Sequence, residues 1–390
     1  MIPDRIENAE WLTRPEVQAI FAALDGEEGR TRAVGGIVRD SLLGRVRDNT
    51  DIDMATELLP VAVMQRAKAA GIAAYPTGID HGTITLRLND TSVEVTTLRQ
   101  DVATDGRHAE VAFGTDWVVD AERRDFTINA LYCRADGSLF DPLGGAGDVI
   151  NGRVRFIGDA ARRIAEDGLR VYRFFRFSAS HGEEHFDADG LVACQNAADS
   201  LEHLSRERVG SEMLRMLGLP KITRTLAAMY GIGLLSLSDV ALKALQAYEA
   251  LGGHDADARL AILQAHGFDQ IQEMWRLSNT QVERTERISN AAALLADHQV
   301  GWAAYRFGED AVEGLAVAAA LHSWPRDRLM EAARELGRLP VGPLPVTGKD
   351  LIARGMKPGP EIGSVLATLE KQWVESGFTL DPEGLLANLP

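Results

Sequence analysis

The sequence predicts an α+β protein in which a small mixed sheet comes first and helices fill the rest. Between residues 25 and 140, short alternating runs that suit strands are interleaved with helical runs. From about residue 159 to the end the periodicity is almost wholly helical, in segments rich in Ala and Leu. At 390 residues the chain exceeds what one hydrophobic core holds, so two or three domains are expected.

Taken in order, residues 14–24 have helical spacing, with Pro15 placed near the first turn. Residues 32–34 read as a strand that ends at Gly35-Gly36, and 37–43 as the helix that follows. A second strand is expected over 51–55, and a helix opened by Pro60 to about residue 70. Residues 82–88 and 92–96 alternate and are joined at Asn89-Asp90, a hairpin signal. Residues 99–116, which include Asp105-Gly106-Arg107-His108, show little periodicity and read as a loop. A short helix over 122–125 and a hairpin at Asp136-Gly137 close the first domain. Within the helical remainder, breaks are expected near Gly218–Pro220, at Gly252-Gly253 and along 339–346.

Composition excludes several classes. The 45% hydrophobic and 25% charged content is that of a globular protein. The two cysteines, Cys133 and Cys194, lie far apart with no CxxC partner. This argues against a disulfide framework or zinc site and suits the cytoplasm. Residues 1–12 lack the apolar run of a signal peptide, and no apolar stretch reaches membrane-spanning length. The formal charge of −16 is unexpected for a nucleic-acid binder. It is unevenly spread: residues 1–140 carry 15 basic and 23 acidic side chains, and 231–390 carry 14 and 21. The window 151–180 inverts the sign, with seven arginines against Asp159, Glu166 and Asp167. That stripe is either a solvated helix face or a local surface for RNA on an acidic protein.

The chemistry-bearing residues begin at Gly35-Gly36-Ile37-Val38-Arg39-Asp40. Glycines let the backbone turn tightly and approach a ligand, and a helix N-terminus offers unpaired N–H groups to an anion. Asp51 and Asp53 follow at i and i+2 on a strand, so their carboxylates share one face. Separately, a Gly-Gly turn and a capping aspartate explain these residues; together, a phosphate cradle beside a hard-cation site suits Mg²⁺-dependent phosphoryl or nucleotidyl transfer. Glu94, between Val93 and Val95, is either a solvent-facing strand residue or a third carboxylate serving as base or metal support. Arg123-Arg124-Asp125-Phe126-Thr127-Ile128-Asn129-Ala130 sets two arginines, a carboxylate and an amide around an apolar anchor. It reads either as an ion-paired helix end or as an arginine on a phosphate with Asp125 and Asn129 available to a ribose. His254-Asp255, after Gly252-Gly253, is expected in a turn, not at a metal site. His81 and His108 are expected to support structure or RNA contact.

Four motifs then occur in order: Gly35-Gly36-x-x-Arg39-Asp40, Asp51-x-Asp53, Arg123-Arg124-Asp125-Phe126-Thr127-x-Asn129-Ala130, and Glu166-Asp167-x-x-Arg170-x-x-Arg173-x-x-Arg176-Phe177. The series resembles the class II tRNA nucleotidyltransferases, or CCA-adding enzymes, and their relatives the bacterial poly(A) polymerases. It covers about residues 30–215; Thr347-Gly348-Lys349-Asp350-Leu351 with Lys357-Pro358-Gly359 also resembles a bacterial tail. The resemblance implies a polymerase-β-like nucleotidyltransferase head over 1–140, a helical neck over 141–225, and a helical body and tail over 226–390. It implies that Gly35, Gly36 and Arg39 meet the triphosphate, that Asp51 and Asp53 carry Mg²⁺, and that Arg124 meets the nucleotide with Asp125 near its ribose. Asp167 and Arg170 would read the base, with Arg173 and Arg176 supporting them, and Ser205-Arg206-Glu207-Arg208 would brace the neck.

Base reading also follows from the side chains. Asp167 only accepts and Arg170 only donates, which suits the amine-bearing edges of C and A and disfavours uracil O4 or guanine O6. Spacing of three residues places Asp167, Arg170, Arg173 and Arg176 along one helical stripe. The expected reaction is attack of the tRNA 3′-hydroxyl on the α-phosphorus of CTP or ATP, with no membrane and no protein partner. A poly(A) polymerase is the alternative in the same chemistry; the acidic end of this chain and Asp105-Gly106-Arg107-His108 favour the CCA branch. An RNA-binding protein without catalysis is the alternative from another class, disfavoured because every motif carboxylate and arginine is present.

Overall fold

The computed structural model describes residues 2–7, 9–46, 51–104, 109–268 and 270–387; for 101–104 and 109–111 it describes the backbone alone. The chain divides into two compact units, Met1–Glu212 with Gly231–Leu234, and Met213–Tyr230 with Leu235–Pro390.

The first unit opens with α1 (Glu10–Thr13) and α2 (Pro15–Ala23), the latter started by Pro15 where a missing N–H costs nothing. The strands are β1 (Thr31–Val34), β2 (Ile52–Thr56), β3 (Ala73–Gly78), β4 (Thr83–Leu88), β5 (Thr91–Thr97), β6 (Arg99–Thr104), β7 (Ala109–Phe113), β8 (Tyr132–Cys133) and β9 (Leu139–Phe140). Seven of them form one mixed sheet in the order β3-β4-β5-β2-β1-β8-β9. Only β2 and β5 pair in parallel; the other neighbours are antiparallel. Val34, Ala55, Leu98, Trp117, Ala121, Ala130, Tyr132 and Ile157 make a core cluster of this unit. The hairpins expected at Asn89-Asp90 and Asp136-Gly137 are the β4–β5 and β8–β9 turns.

Helices α3 (Gly36–Leu42), α4 (Pro60–Ala69), α5 (Trp117–Glu122) and α6 (Gly145–Ile150) complete the head region. The helix expected over 122–125 instead ends at Glu122. Asp116 caps its start, accepting from Val118 N at 2.8 Å and Val119 N at 3.2 Å, so the cap sets the helix one turn earlier. Residues 99–116, expected as a loop, hold β6 and β7 paired as a two-stranded ribbon. Residues 105–108, and with them His108, lie outside the described residues. β3 carries Pro76 and exposed residues at a sheet edge, which is why no alternation announced it.

Next come α7 (Ala160–Glu166), α8 (Leu169–His181), α9 (Ala188–Ala197) and α10 (Arg206–Leu217). Here the single stripe from Asp167 to Arg176 is corrected. Asp167 lies between α7 and α8 in an extended conformation (φ −153°, ψ 104°), and its Oδ1 accepts from Leu169 N at 3.1 Å. An aspartate that bonds the backbone two residues on competes with helix continuation, so the run breaks at Asp167 and restarts at Leu169. Arg170, Arg173 and Arg176 keep the stripe.

In the second unit, α11 (Thr223–Gly231), α12 (Asp239–Ala250) and α13 (Ala256–Ala265) follow one another across the breaks expected near Gly218–Pro220 and at Gly252-Gly253. Fully buried Arg259 holds the first break: it donates to the carbonyls of Leu217 and Leu219 at 2.5 Å and of Pro220 at 3.1 Å, and pairs with Glu249 at 3.1 Å. Glu249 in turn accepts from Ile222 N and Thr223 N at the start of α11. Asp255 caps α13 and His254 Nδ1 bonds the Gly252 carbonyl at 3.1 Å, a turn as expected. Among the described residues eight further helices run between Ile271 and Leu386. Near the end, Trp373, Phe378, Leu351 and Leu369 share a second core cluster. No described helix is long and apolar enough to cross a membrane.

Candidate active site

Between β1 and α3 the chain turns on Gly35, held at φ 72° and ψ −124°, a conformation only glycine adopts without strain. Its N–H donates to Leu131 O at 3.0 Å, which ties the turn to the segment after Asn129. A Cβ there would lie 3.8 Å from Arg124 Nη1 and 3.7 Å from Asn129 O, so bare glycine faces both. Gly36 is the first residue of α3 and lies against Arg39 Nη2 in the same way, at 3.7 Å.

Strand β2 delivers the aspartates. Ile52 and Met54 point into the core, leaving Asp51 and Asp53 on the opposite, open face. In the parallel register Asp53 stands beside Glu94 of β5. Among the described residues, Asp51, Asp53 and Glu94 have no ion-pair or hydrogen-bond partner for their side chains. Surrounding protein atoms, and then the charges of Glu94 and Asp51, push the Asp53 carboxyl up to about 6, opposed by Arg124. Like charges facing one another with no ion-pair partner among the described residues fit a bound cation. The described residues contain no group of three His, Cys, Asp or Glu side chains close enough to hold a metal by themselves. A Mg²⁺ ion needs no such cage, because it keeps waters and takes one or two carboxylates together with substrate phosphates.

Arg124 faces these carboxylates from the loop after α5. Asp120, 1% exposed, accepts from Arg124 Nη2 at 3.2 Å, from Arg123 Nη2 at 2.6 Å and from Tyr132 Oη at 2.8 Å. Burial opposes the charge of Arg124, but Tyr132 and Asp120 outweigh it and raise its pKa. Arg39, 7% exposed, is held by Asp40 through Nε at 2.8 Å and Nη2 at 3.2 Å, and by Asn129 Oδ1 through Nη1 at 2.7 Å. A guanidinium carries five N–H donors. Among the described residues, one hydrogen on each terminal nitrogen of Arg39 therefore remains for an anion.

Asn129 is placed by Asp125, whose Oδ1 accepts from Asn129 Nδ2 at 3.0 Å and Phe126 N at 2.8 Å. Asp125 Oδ2 takes Arg173 Nε at 2.8 Å and Nη2 at 2.5 Å. Burial would raise the Asp125 pKa; Arg173 and Asn129 together hold it below the ordinary carboxylate range. Its four acceptor positions are thus all used. Glu212 of α10, 5% exposed, pairs with Arg173 at 3.5 Å and Arg176 at 2.5 Å. Phe177 lies beneath Arg39, Arg173 and Arg176, whose guanidinium carbons stand 5.2, 5.3 and 4.1 Å from its ring centre.

Asp167 and Arg170 sit next to this mesh on their own partners. Asp167 Oδ2 accepts from Arg208 Nη2 at 2.7 Å and its side chain remains 25% exposed, enough for a ligand to reach. Arg170 Nη1 donates to Glu166 Oε2 and to Arg163 O, both at 2.7 Å. Arg163 also bonds the carbonyls of Arg123 and Arg124, so α7 grips the segment that carries the arginine pair. Sequence reasoning missed Asp120, Tyr132, Arg163, Glu212 and His181. Asp120 had a signal, being four residues before Arg124 on a helix. Glu212 had none, since its partners lie 36 and 39 positions away.

Comparison with known proteins follows the same outline. A family model described as Poly A polymerase head domain matches residues 31–155, and one described as tRNA nucleotidyltransferase domain 2 matches 260–389. The chain is 33% identical to CCA tRNA nucleotidyltransferase 1, mitochondrial, of Mus musculus, over 96% of its own length and 92% of the relative's. It is 30% identical to a CCA-adding enzyme of Levilactobacillus brevis, over 99% and 98%. The crystal structure of the Bacillus stearothermophilus CCA-adding enzyme in complex with CTP superimposes with a TM-score of 0.76 at 28% identity, covering 93% of this chain and 94% of that one.

Proposed function

The chain belongs to the family of CCA-adding tRNA nucleotidyltransferases, and from that premise we propose that it adds C and A to the 3′ end of tRNA, drawing on CTP and ATP. One observation supports this assignment: Arg124 stands against Gly35 on one side, and on the other its positive charge favours the ionised Asp53. We infer that the glycine turn, the carboxylate strand and the arginine pair, 89 positions apart at Gly35 and Arg124, serve one site.

Nucleotidyltransferases of this kind use divalent metals, and we assign Mg²⁺ to Asp51 and Asp53, with Glu94 beside them. When bound, the ion supplies charge for the developing oxyanions and lowers the pKa of the attacking hydroxyl. Arg39 and Arg124 then bind the triphosphate, and their own carboxylates keep both guanidinium planes oriented before substrate arrives. Asp167 accepts from the exocyclic amine of C or A, while Arg170 donates to the neighbouring ring acceptor. Arg208 holds Asp167, and Glu166 holds Arg170. Asp125, saturated by its partners, orients Arg173 and Asn129, so a ribose contact there requires one of those bonds to exchange. We propose a head over 1–140, a neck over 141–225, and a tRNA-binding body and tail over 226–390. The first compact unit takes in the head and the neck as far as Glu212. We place the reaction in the cytoplasm, where the free Cys133 and Cys194 stay reduced.

The test supplies Mg²⁺ and each NTP to tRNAs ending before, within and after CCA, and sequences the products. Stepwise completion of CCA is expected, with no extension past it. A homopolymeric A tail would point to poly(A) polymerase activity, the other branch named by the head-domain match. No extension at all would refute the assignment.

A further inference from the structure

His181, the last residue of α8, lies one turn past the motif that ends at Phe177 and reaches the turn that carries Arg39 and Asp40. Its Nε2 is 3.1 Å from Asp40 Oδ1, and its Nδ1 is 2.6 Å from Ser180 Oγ. A carboxylate only accepts, so Nε2 carries the proton; Nδ1 then accepts from the Ser180 hydroxyl. Both ring nitrogens are satisfied in the neutral state. Burial lowers the pKa of the imidazole, against the pull of Asp40 and with the help of Arg39 and Arg45, which keeps that neutral form in place.

Asp40 Oδ1 is the same oxygen that receives Arg39 Nε. The other side of Arg39 is held by Asn129, Asn129 by Asp125, and Asp125 by Arg173, so that about two turns of α8 separate the two anchor points. The bonds close a ring that leaves α8 at Arg173 and returns to it at His181, with Phe177 between them. Helix α8 also carries Arg170 and Arg176. A second bond, from Arg45 Nη1 to Ser180 O at 3.4 Å, clasps the same ends.

We propose that His181 is a positioning residue for triphosphate binding: through Asp40 it fixes the guanidinium of Arg39 and couples that arginine to the helix that reads the base. The proposal rests on the triphosphate role given to Arg39 above. Without His181, Asp40 keeps one anchor and can rotate, and Arg39 loses the plane in which its two remaining N–H groups face a phosphate.

The experiment uses the full chain, as wild type, His181→Ala and His181→Gln, since a glutamine amide can again donate to Asp40. Steady-state kinetics with CTP and with ATP are compared with inhibition by inorganic tripolyphosphate, which has a phosphate chain and no base. His181→Ala is expected to raise KM for both nucleotides and the tripolyphosphate inhibition constant by about tenfold, the scale of one hydrogen bond to a charged group. kcat and melting temperature should change little, and His181→Gln should restore most of the loss. Unchanged KM and inhibition in His181→Ala would overturn the proposal. So would an equal loss in His181→Ala and His181→Gln accompanied by a fall in melting temperature, which marks a merely structural role. A wild type that extends no tRNA refutes the family activity instead; calorimetric titration with tripolyphosphate then decides the role of His181, and absence of binding by the wild type overturns it too.

Discussion

The two acidic groups of the first unit are built on opposite rules. Asp51, just before β2, and Asp53 and Glu94 on their strands have no ion-pair partner among the described residues, and burial first, then the charges of Glu94 and Asp51, lifts Asp53 to about 6. Asp125, Asp120 and Glu212 are buried, and each is paired with at least one arginine. Burial alone would favour protonation in both groups; what differs is whether positive charge is already supplied. Where the chain supplies it, geometry is set before substrate binds. Where it does not, the metal ion proposed above would supply it from solution. A site that joins nucleotides needs both: rigid arginines for the triphosphate and an exchangeable charge for the reacting atoms.

The contrast can be broken most severely at Asp53. Asp53→Ala should lower transfer on the order of 10³-fold or more, as expected when charge stabilisation at the reacting atoms is removed. Its melting temperature should hold or rise, because a repulsion is relieved; single-turnover extension and thermal melts check both. Normal transfer would remove the metal role from this strand. Asp125→Ala should behave oppositely. It leaves Arg173 with Glu212 at 3.5 Å and Asn129 without its acceptor, and should cost about 3 kcal/mol of stability, read by urea denaturation of the whole chain. A loss of activity without loss of stability would show that Asp125 acts on substrate directly.

Asp167→Ala removes an acceptor and spares the carboxylates of β2. Discrimination of C and A against U and G should relax by roughly tenfold to a hundredfold, or about 1–3 kcal/mol, while kcat for CTP falls less. Misincorporation assays with all four nucleotides measure this; unrelaxed choice would place base reading elsewhere. The smallest effect concerns pH. The folded pKa of Asp53 exceeds its unfolded value of about 3.9, so the folded protein holds the extra proton between about 4 and 6. Its contribution favours the fold below pH 4 and is lost as pH rises through 6. Mg²⁺ offsets that loss only when Asp53 is ionised. The melting temperature should therefore rise with Mg²⁺ by about 2–4 °C at pH 7.5, and by less at pH 5. Equal shifts at both values would mean the ion binds away from Asp53.

Much of this site was legible before folding. The turn at Gly35, the alternation of Asp51 and Asp53 about Ile52, and the β4–β5 hairpin all arise from local geometry with a period of two residues or a single special conformation. The same local logic misplaced α5, whose start depends on the Asp116 cap, and overran Asp167, whose side chain bonds the backbone and ends the helical run. Residues 99–116 lacked a periodic signal, and their two strands pair with each other outside the seven-stranded sheet.

What the chain determined on its own, then, was which side chains share a strand face, a turn or a helical stripe, since those relations need only neighbours. Tertiary structure alone decided the partners: Arg173 with Asp125 across 48 positions, Arg176 with Glu212 across 36, and His181 with Asp40 across 141. Ion pairs carry no sequence period, and any of the 41 basic residues could have met any of the 57 acidic ones. Packing around Phe177 selects these pairs, because an arginine can be buried there only where a carboxylate already waits.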